Sequence, residues 1–200
     1  MEYLFYCRDR PGTGALRAEL TEAHWSFMDS YADGMIARGP TLTPDGTAAT
    51  GSLHLVDLPD AESAQVFAFA EPNYRAGVYC EVLLRRWRNA LGGTMWDFTG
   101  DPDSNQRFLV LGHGRPAPAA TMDALREEHR RYLGDRGYRD RLIAYGPLLS
   151  DDGTGWVGSA TLVELPDRAA VEAMLADEPY QRAGLYADVE IHRWQFGGRR

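Results

Sequence analysis

Apolar and polar residues alternate along the chain with two different periods, and these predict two kinds of element. Short aliphatic and aromatic runs, bounded by Gly, Pro or Asp, predict strands. Longer segments in which apolar residues recur every three or four positions predict amphipathic helices. In the first half of the chain the predicted order is strand, helix, strand, strand, helix, strand. The corresponding ranges are 3–8, 13–32, 35–43, 50–58, 60–70 and 79–88.

The second half of the chain repeats the first. The stretch Glu71–Tyr79 (EPNYRAGVY) returns as Glu178–Tyr186 (EPYQRAGLY), and 22 of the 49 positions from Gly39 to Trp87 carry the same residue 107 positions later. Self-similarity at this level indicates a tandem duplication. The same six elements are therefore predicted again, at 107–112, 121–136, 142–149, 156–165, 167–177 and 186–196.

The repeat predicts the domain organisation and the fold class. We expect a first unit over residues 1–91, a linker over 92–105 and a second unit over 106–200. The element order is that of a ferredoxin-like (βαββαβ) unit, an α+β fold with helices on one face of an antiparallel sheet. The other face of each sheet must also be buried, so the two units are expected to pack through their sheets as an intramolecular pseudo-dimer. Further homo-oligomerisation stays open.

Charge and hydropathy narrow the class of partner. The formal net charge is −8 and the isoelectric point about 5.1, whereas a nucleic-acid partner requires a basic face. No apolar run approaches the length of a membrane span, and the N-terminus lacks the pattern of a secretory leader. We therefore expect a cytoplasmic protein that acts on a small-molecule substrate, without a nucleic-acid or membrane partner.

All 21 basic residues are Arg, which excludes every mechanism that needs a lysine. Schiff-base chemistry, a pyridoxal phosphate anchor and a Walker A loop are among them. Cys7 and Cys80 are too few for a metal framework or a disulfide scaffold, and each is expected to be a small buried residue. No cofactor and no metal are expected.

Two histidines are the leading candidates for chemistry. His24 and His129 occupy equivalent places on the apolar side of the first helix of each half. An imidazole held against a sheet can give or take a proton near neutral pH. The carboxylates of Glu71 and Glu178 precede a proline at the end of the second helix and could orient that imidazole. The alternatives are a hydrogen-bonded core histidine and an exposed loop glutamate, and the sequence leaves both open.

Further polar residues could bind a substrate, although each also has a structural interpretation. The serines follow glycine at the start of a strand, where a turn role is equally consistent with the pattern. The arginines could bind an anion or lie in solvent. Asp177 stands next to Glu178 and could act in its place. These candidate binding residues are Ser52, Ser159, Tyr180, Asp177, Arg75 and Arg182.

The remaining histidines receive less weight because they do not recur in the repeat. They are His54, which aligns with Thr161; His113; and His192, which aligns with Arg85. No two histidines have the spacing of a metal-binding pair such as His-x-x-x-His.

These features together resemble the YciI-like (YCII-related) family of the dimeric α/β-barrel superfamily. The matching elements are the helix-borne histidine, a Gly-Pro pair, a Gly-Ser strand start and an acid-Pro-x-x-x-Ala-Gly turn, each present twice. The resemblance implies a histidine–carboxylate pair above each sheet, in which His24 and His129 match the family histidine. The family aspartate falls on Glu71 and Glu178, a departure that lengthens the arm of the carboxylate. Tyr180 makes the second half the closer match and the expected active half if only one is active.

The resemblance implies proton-transfer chemistry on small ring compounds, with dehydrochlorination of a chlorinated hydroquinone as one type of activity. Our first hypothesis is therefore a cofactor-independent lyase or isomerase that acts on a small cyclic metabolite, such as a quinone-like or aromatic ring. The alternatives are a non-catalytic small-molecule-binding protein and a cofactor-free monooxygenase.

Overall fold

Eight antiparallel strands form a closed barrel in the computed structural model, which describes residues 1–115, 117 and 119–199. Their order around the barrel is β1-β3-β2-β8-β5-β7-β6-β4. The strands are β1 (Glu2–Asp9), β2 (Met35–Leu42), β3 (Ala49–Asp57), β4 (Tyr79–Trp87), β5 (Gln106–Gly114), β6 (Leu142–Leu149), β7 (Trp156–Leu165) and β8 (Tyr186–Trp194).

The helices lie on the outside of this barrel and follow the order predicted from the sequence. They are α1 (Gly14–Glu19), α2 (Thr21–Asp29), α3 (Ala61–Ala70), α4 (Pro72–Arg75), α5 (Ala119–Asp135), α6 (Arg168–Ala176) and α7 (Pro179–Arg182). Each half is thus a ferredoxin-like α+β unit, and the predicted fold class is confirmed. Within the described residues no helix is both long and apolar enough to cross a membrane.

Two local predictions differ from the structure. The first helix, predicted over 13–32, is divided at Leu20, whose φ of −89° and ψ of −1° depart from ideal helical values. His24 therefore lies on the short helix α2. Cys7 is buried as predicted, but Cys80 is exposed; it lies at the irregularity where the register of β1 with β4 shifts, between Glu81 and Tyr79.

Apolar side chains fill the barrel and the two layers outside it. Residues of alternating strand positions from all eight strands form the interior, with Trp87 and Trp194 among them. A second cluster lies between the first sheet and its helices, around Phe5 and Phe67. A third lies in the same place in the second half, around Phe108 and Met174. The sheets therefore bury both faces, as a ferredoxin-like pair requires.

The two sheets join at their edges, through β2 with β8 and through β4 with β6. At the first seam the backbone of residues 195–197 runs along β2, with Gln195 N donating to Pro40 O and Gly197 N donating to Arg38 O. A Cβ at Gly39 would lie 1.9 Å from the Gln195 carbonyl oxygen. Gly146 meets Arg88 at the second seam in the same way. At each repeated Gly-Pro pair, one half therefore contacts the segment that follows the last strand of the other half.

The seam predicts that Gly39→Ala is destabilising. The new methyl group would overlap backbone, which cannot move aside as a flexible side chain can, and such overpacking costs about 1–3 kcal/mol or more. Gly134→Ala is the matched control: Gly134 lies in α5 with no neighbouring atom within 4 Å, so alanine is expected to stabilise by about 0.5–1 kcal/mol. Urea unfolding of both variants measures the difference. Equal stability of the two would contradict this account of the seam.

Candidate active site

His24 and Glu71 form a close pair above the first sheet. His24 Nδ1 lies 2.6 Å from Glu71 Oε1. The imidazole is 14% exposed and the carboxylate 3% exposed, so the pair is largely shielded from solvent. An ionised carboxylate only accepts hydrogen bonds, so Nδ1 carries the proton in this contact. In the neutral ring, Nε2 therefore keeps its lone pair and can accept a proton from another molecule.

The backbone fixes the orientation of Glu71. This residue is the N-cap of α4, and its Oε2 accepts a 2.9 Å hydrogen bond from the N–H of Tyr74. Pro72 at the first position of α4 fixes the turn that follows. One carboxylate oxygen is thus held by the helix, which leaves the other for the imidazole.

A cavity of about 400 Å³ opens beside His24. Its walls combine helix α2, the face of β3 that carries Ser52 and His54, the Gly39-Pro40 seam and the segment 195–198 that follows β8. Two arginines, Arg17 and Arg38, contribute positive charge to the lining. The first-half pair therefore has space beside it for a small molecule.

Ser52 lies in this wall but already has hydrogen-bond partners. Arg17 Nη2 donates to Ser52 Oγ at 2.7 Å, and the Tyr79 hydroxyl donates to it at 3.2 Å. Arg17 also donates to Asp9 at 2.9 Å. Asn73 Nδ2 in turn donates to the Tyr79 hydroxyl at 3.2 Å. The predicted binding residue Ser52 is thus part of a network that sets the shape and polarity of the cavity wall.

His54 lies behind His24 and is fully buried. Its ring centroid is 5.6 Å from that of His24 and 5.7 Å from that of Phe67. Its Nδ1 has no hydrogen-bond partner among the described residues. Burial lowers the pKa of His54 well below its usual range, and the nearby charges of His24 and Arg17 lower this pKa further. The folded protein therefore holds His54 neutral.

This neutral histidine predicts a loss of stability in acid. The unfolded chain binds a proton at His54 near pH 6.5, whereas the folded chain does not, so protonation favours unfolding as the pH falls below that value. The slope contributed by one such group is at most about 1.4 kcal/mol per pH unit. His54→Thr introduces the residue found at the aligned position, Thr161. Its free energy of unfolding should fall less between pH 7.5 and 5.5 than that of the wild type. Identical pH dependence in urea unfolding of variant and wild type would contradict the assignment.

The second half places His129 and Glu178 at the equivalent positions, with a different geometry. His129 Nε2 lies 2.9 Å from Glu178 Oε1, but the angle is outside that of a hydrogen bond, and within the described part of the chain Oε1 is buried without a partner. Glu178 Oε2 caps α7 by accepting from Gln181 N at 2.7 Å. The other ring nitrogen of His129, Nδ1, lies 3.0 Å from the Tyr145 hydroxyl.

Two tyrosines enclose His129. The ring of Tyr145 stacks on the imidazole with centroids 5.1 Å apart, and that of Tyr180 stacks on it at 4.9 Å. Burial raises the pKa of Tyr180 to about 12, so its hydroxyl stays protonated at neutral pH. The space left beside His129 is only about 20 Å³. The aligned residues of the first half are Arg38 and Asn73, whose side chains leave the cavity open.

A groove of about 410 Å³ lies outside this tyrosine pair, but His129 does not line it. Tyr145, Tyr180 and Trp156 form its aromatic side, and four arginines contribute to the remainder. Ser159 also borders it, and its hydroxyl is 2.6 Å from that of Tyr186. In the second half the tyrosines therefore stand between the imidazole and the surface groove.

Three predicted binding residues are not brought to either imidazole. Arg75 and Arg182 lie exposed on α4 and α7 and line none of the cavities described above. The physical reason is that these short helices turn their basic residues toward solvent. Asp177 is also exposed and pairs with Arg136 at 3.2 Å. It does not take the place of Glu178.

The family assignment comes from a comparison with family models. The model of the YCII-related domain matches residues 1–88 and again residues 106–195. The chain belongs to the YCII-related family. One curated relative is an uncharacterized protein of Haemophilus influenzae, 27% identical over 89 residues, which cover 42% of this chain and 91% of the relative.

The solved structures similar to this YCII-related chain match either about half of it or nearly all of it. A 5-chloro-2-hydroxyhydroquinone dehydrochlorinase from Burkholderia phenoliruptrix AC1100, in complex with 2,5-dihydroxybenzoquinone, is 25% identical and has a TM-score of 0.43; the match covers 46% of this chain and 99% of that one. A chlorite dismutase mutant from Candidatus Nitrospira defluvii matches 98% of this chain and 91% of its own, with a TM-score of 0.63 and 11% identity. A monooxygenase-like protein from Lactobacillus acidophilus NCFM covers 97% and 92%, with a TM-score of 0.55 and 7% identity. The last two show that the whole two-unit barrel is a known fold.

Several residues of the cavity beside His24 were not among the predicted site residues. His54 was given less weight because it does not recur, although the period of two along β3 places it on the same sheet face as Ser52. Arg38 and Asn73 could not be identified from the repeat, because the aligned residues are Tyr145 and Tyr180. Segment 195–198 comes from the far end of the chain and reaches the first half only through the closure of the barrel.

Proposed function

We propose that this protein is a lyase or isomerase whose own side chains carry out acid/base chemistry on a small cyclic metabolite in the first half of the chain. The observation that supports this most strongly is His24, which has a carboxylate partner 2.6 Å from Nδ1 and also lines a cavity of about 400 Å³. We thus propose that the working site lies in the first half, which carries Asn73. His129 is proposed to have a structural role, because side chains fill the space beside it.

The geometry suits proton abstraction from carbon. The Nε2 lone pair of His24 would take a proton from a carbon acid of the substrate, and Glu71 would stabilise the imidazolium that forms. The electron pair of the broken C–H bond would then form a double bond. In a lyase reaction the leaving group departs with the electron pair of its bond to the neighbouring carbon. In an isomerase reaction His24 returns the proton to another carbon. Positioned acid/base groups of this kind contribute about 10²–10⁴ in rate.

The lining favours a ring compound with oxygen substituents. Trp25 and Phe196 offer aromatic surface, and Arg17 and Arg38 offer donors to carbonyl, phenolate or carboxylate oxygens. Arg38 is buried, and its Nη1 donates to Asp29 Oδ1 at 3.0 Å, which fixes the guanidinium in the cavity wall. Hydroxylated and quinone-like rings, the class implied by the family resemblance, fit this chemistry.

Hydrogen exchange in heavy water tests the proposal whichever product the reaction forms. The protein is incubated in D₂O with a panel of hydroxylated, chlorinated and enolisable ring compounds, and proton NMR follows both C–H exchange and turnover. Enzyme-dependent exchange or elimination in at least one compound is expected. Compounds that bind, as judged by a thermal shift, yet show neither exchange nor turnover across the panel would instead support a binding protein.

A further inference from the structure

A cluster of metal-ligating side chains lies at one open end of the barrel, away from both histidine–glutamate pairs. His113 on β5 and Asp188 on β8 are directly opposite each other in the strand register. Glu190 lies two residues further along β8 and so points to the same face. One ligand atom from each of these three residues lies within 4.8 Å of the other two. The strands therefore bring an imidazole and two carboxylates together.

The two oxygens of Glu190 have different surroundings. Oε1 faces His113, whose Nε2 is 2.7 Å away. Oε2 contacts His192 Nε2 at 2.9 Å and the guanidinium of Arg8. The second oxygen is thus anchored by neighbours that orient the carboxylate, while the first points toward the cluster. Metal-ligating carboxylates are commonly held by outer contacts of this kind.

The repeat provides an internal comparison for this cluster. The positions that align with His113, Asp188 and Glu190 in the first half carry other side chains, namely Arg8, Glu81 and Leu83, and His192 aligns with Arg85. There, Arg8 and Glu81 form an ordinary salt bridge of 2.9 Å at the surface. The second half has therefore replaced two guanidinium groups by imidazoles and an apolar residue by a carboxylate. All three changes add groups that bind a metal ion.

A cavity of about 440 Å³ adjoins the cluster, and His113 lines it. The cavity lining also includes Asp151 and Arg85. Glu190 pairs with Arg8, and Asp188 adds a second carboxylate to the cluster. The two carboxylates favour a cation, and the cavity gives access from solvent.

We propose that His113, Asp188 and Glu190 bind a first-row divalent metal ion such as Zn²⁺. Imidazole nitrogen and carboxylate oxygen are ligands that such ions accept, and three protein ligands leave one tetrahedral position for water or a small anion. The ion would link β5 to β8 at this end of the barrel. This site is separate from the proposed acid/base site and does not depend on it.

Equilibrium dialysis of the full chain against Zn²⁺, after treatment with a chelator, tests the proposal. One saturable equivalent is expected for the wild type. His113→Ala and Asp188→Asn should each weaken binding by at least about tenfold, the smallest loss that removal of even an outer contact causes. Glu172→Gln, which removes an exposed carboxylate on α6 that pairs with Arg168, is the control and should bind like the wild type. Absence of a saturable equivalent, or equal weakening by the control, would overturn the site.

A second measurement follows Zn²⁺ binding to the wild-type protein itself. In the wild type, Zn²⁺ should shift the ring resonances of His113 and His192 in a ¹H–¹⁵N spectrum and leave those of His24 and His129 unchanged. If the resonances of His24 or His129 shift instead, the ion binds at a histidine–glutamate pair and the proposal is wrong.

Discussion

Replacing His24 with alanine is expected to reduce turnover of the substrate by about 10²–10⁴-fold. The imidazole is the group that both contacts Glu71 and lines the open cavity, so its loss removes the proposed proton acceptor while the cavity remains. Steady-state kinetics with a compound identified by the exchange screen measure the effect. Binding of that compound should weaken far less than kcat falls, because the arginines in the lining are unchanged.

His129→Ala is the matched control for this prediction. The residue stands at the same place in the repeat and faces a glutamate in the same way, but only about 20 Å³ lies beside it. Its loss should leave turnover within about a factor of three, after allowance for any unfolded fraction. A large loss of kcat in His129→Ala, with His24→Ala unaffected, would move the site to the second half, as the family pattern at Tyr180 predicts.

The second large effect concerns stability. Trp194→Ala is expected to lower the free energy of unfolding by about 3–5 kcal/mol, since a fully buried tryptophan is removed from the barrel interior and leaves a cavity. Trp194 also lies at the seam between β8 and β2, where it pairs with Thr41. The substitution therefore affects both the core and the closure of the barrel. Unfolding in guanidinium chloride, followed by circular dichroism, measures the change.

Trp96→Ala is the control for the tryptophan prediction. Trp96 is 45% exposed, so its replacement is expected to change the free energy of unfolding by no more than about 0.5 kcal/mol. If the free energy of unfolding of Trp194→Ala lies within about 1 kcal/mol of the wild-type value, the interior of the barrel contributes little to stability, contrary to this prediction.

The fold was predictable because each strand and helix is encoded locally and then repeated. The repeat of the first-half elements predicted β6 and β7 with the bounds that the structure has. The repeat predicted the two units. The seams could not be predicted from the sequence. A glycine is needed at position 39 because the Gln195 carbonyl, from the opposite end of the chain, lies against it. Edge pairing over two residues leaves no periodic signal.

The candidate site was predictable in its ionisable residues and not in its shape. His24, Glu71, His129 and Glu178 were identified because they recur in the repeat. Whether space remains beside an imidazole depends on side chains that differ between the halves. Asn73 is small enough to leave a cavity, whereas Tyr180 stacks on His129 and fills it. Such packing is decided by the summed volumes of neighbours from several elements, which sequence spacing does not report.

The most direct test of the central claim is a ¹H–¹⁵N spectrum of the five histidine rings, recorded while a compound from the exchange screen is added. Single-histidine variants assign the resonances. If the site lies in the first half, the His24 ring resonances shift with saturation, together with those of the adjacent His54, while those of His129 do not respond. A shift of His129 with His24 unchanged would contradict a first-half site.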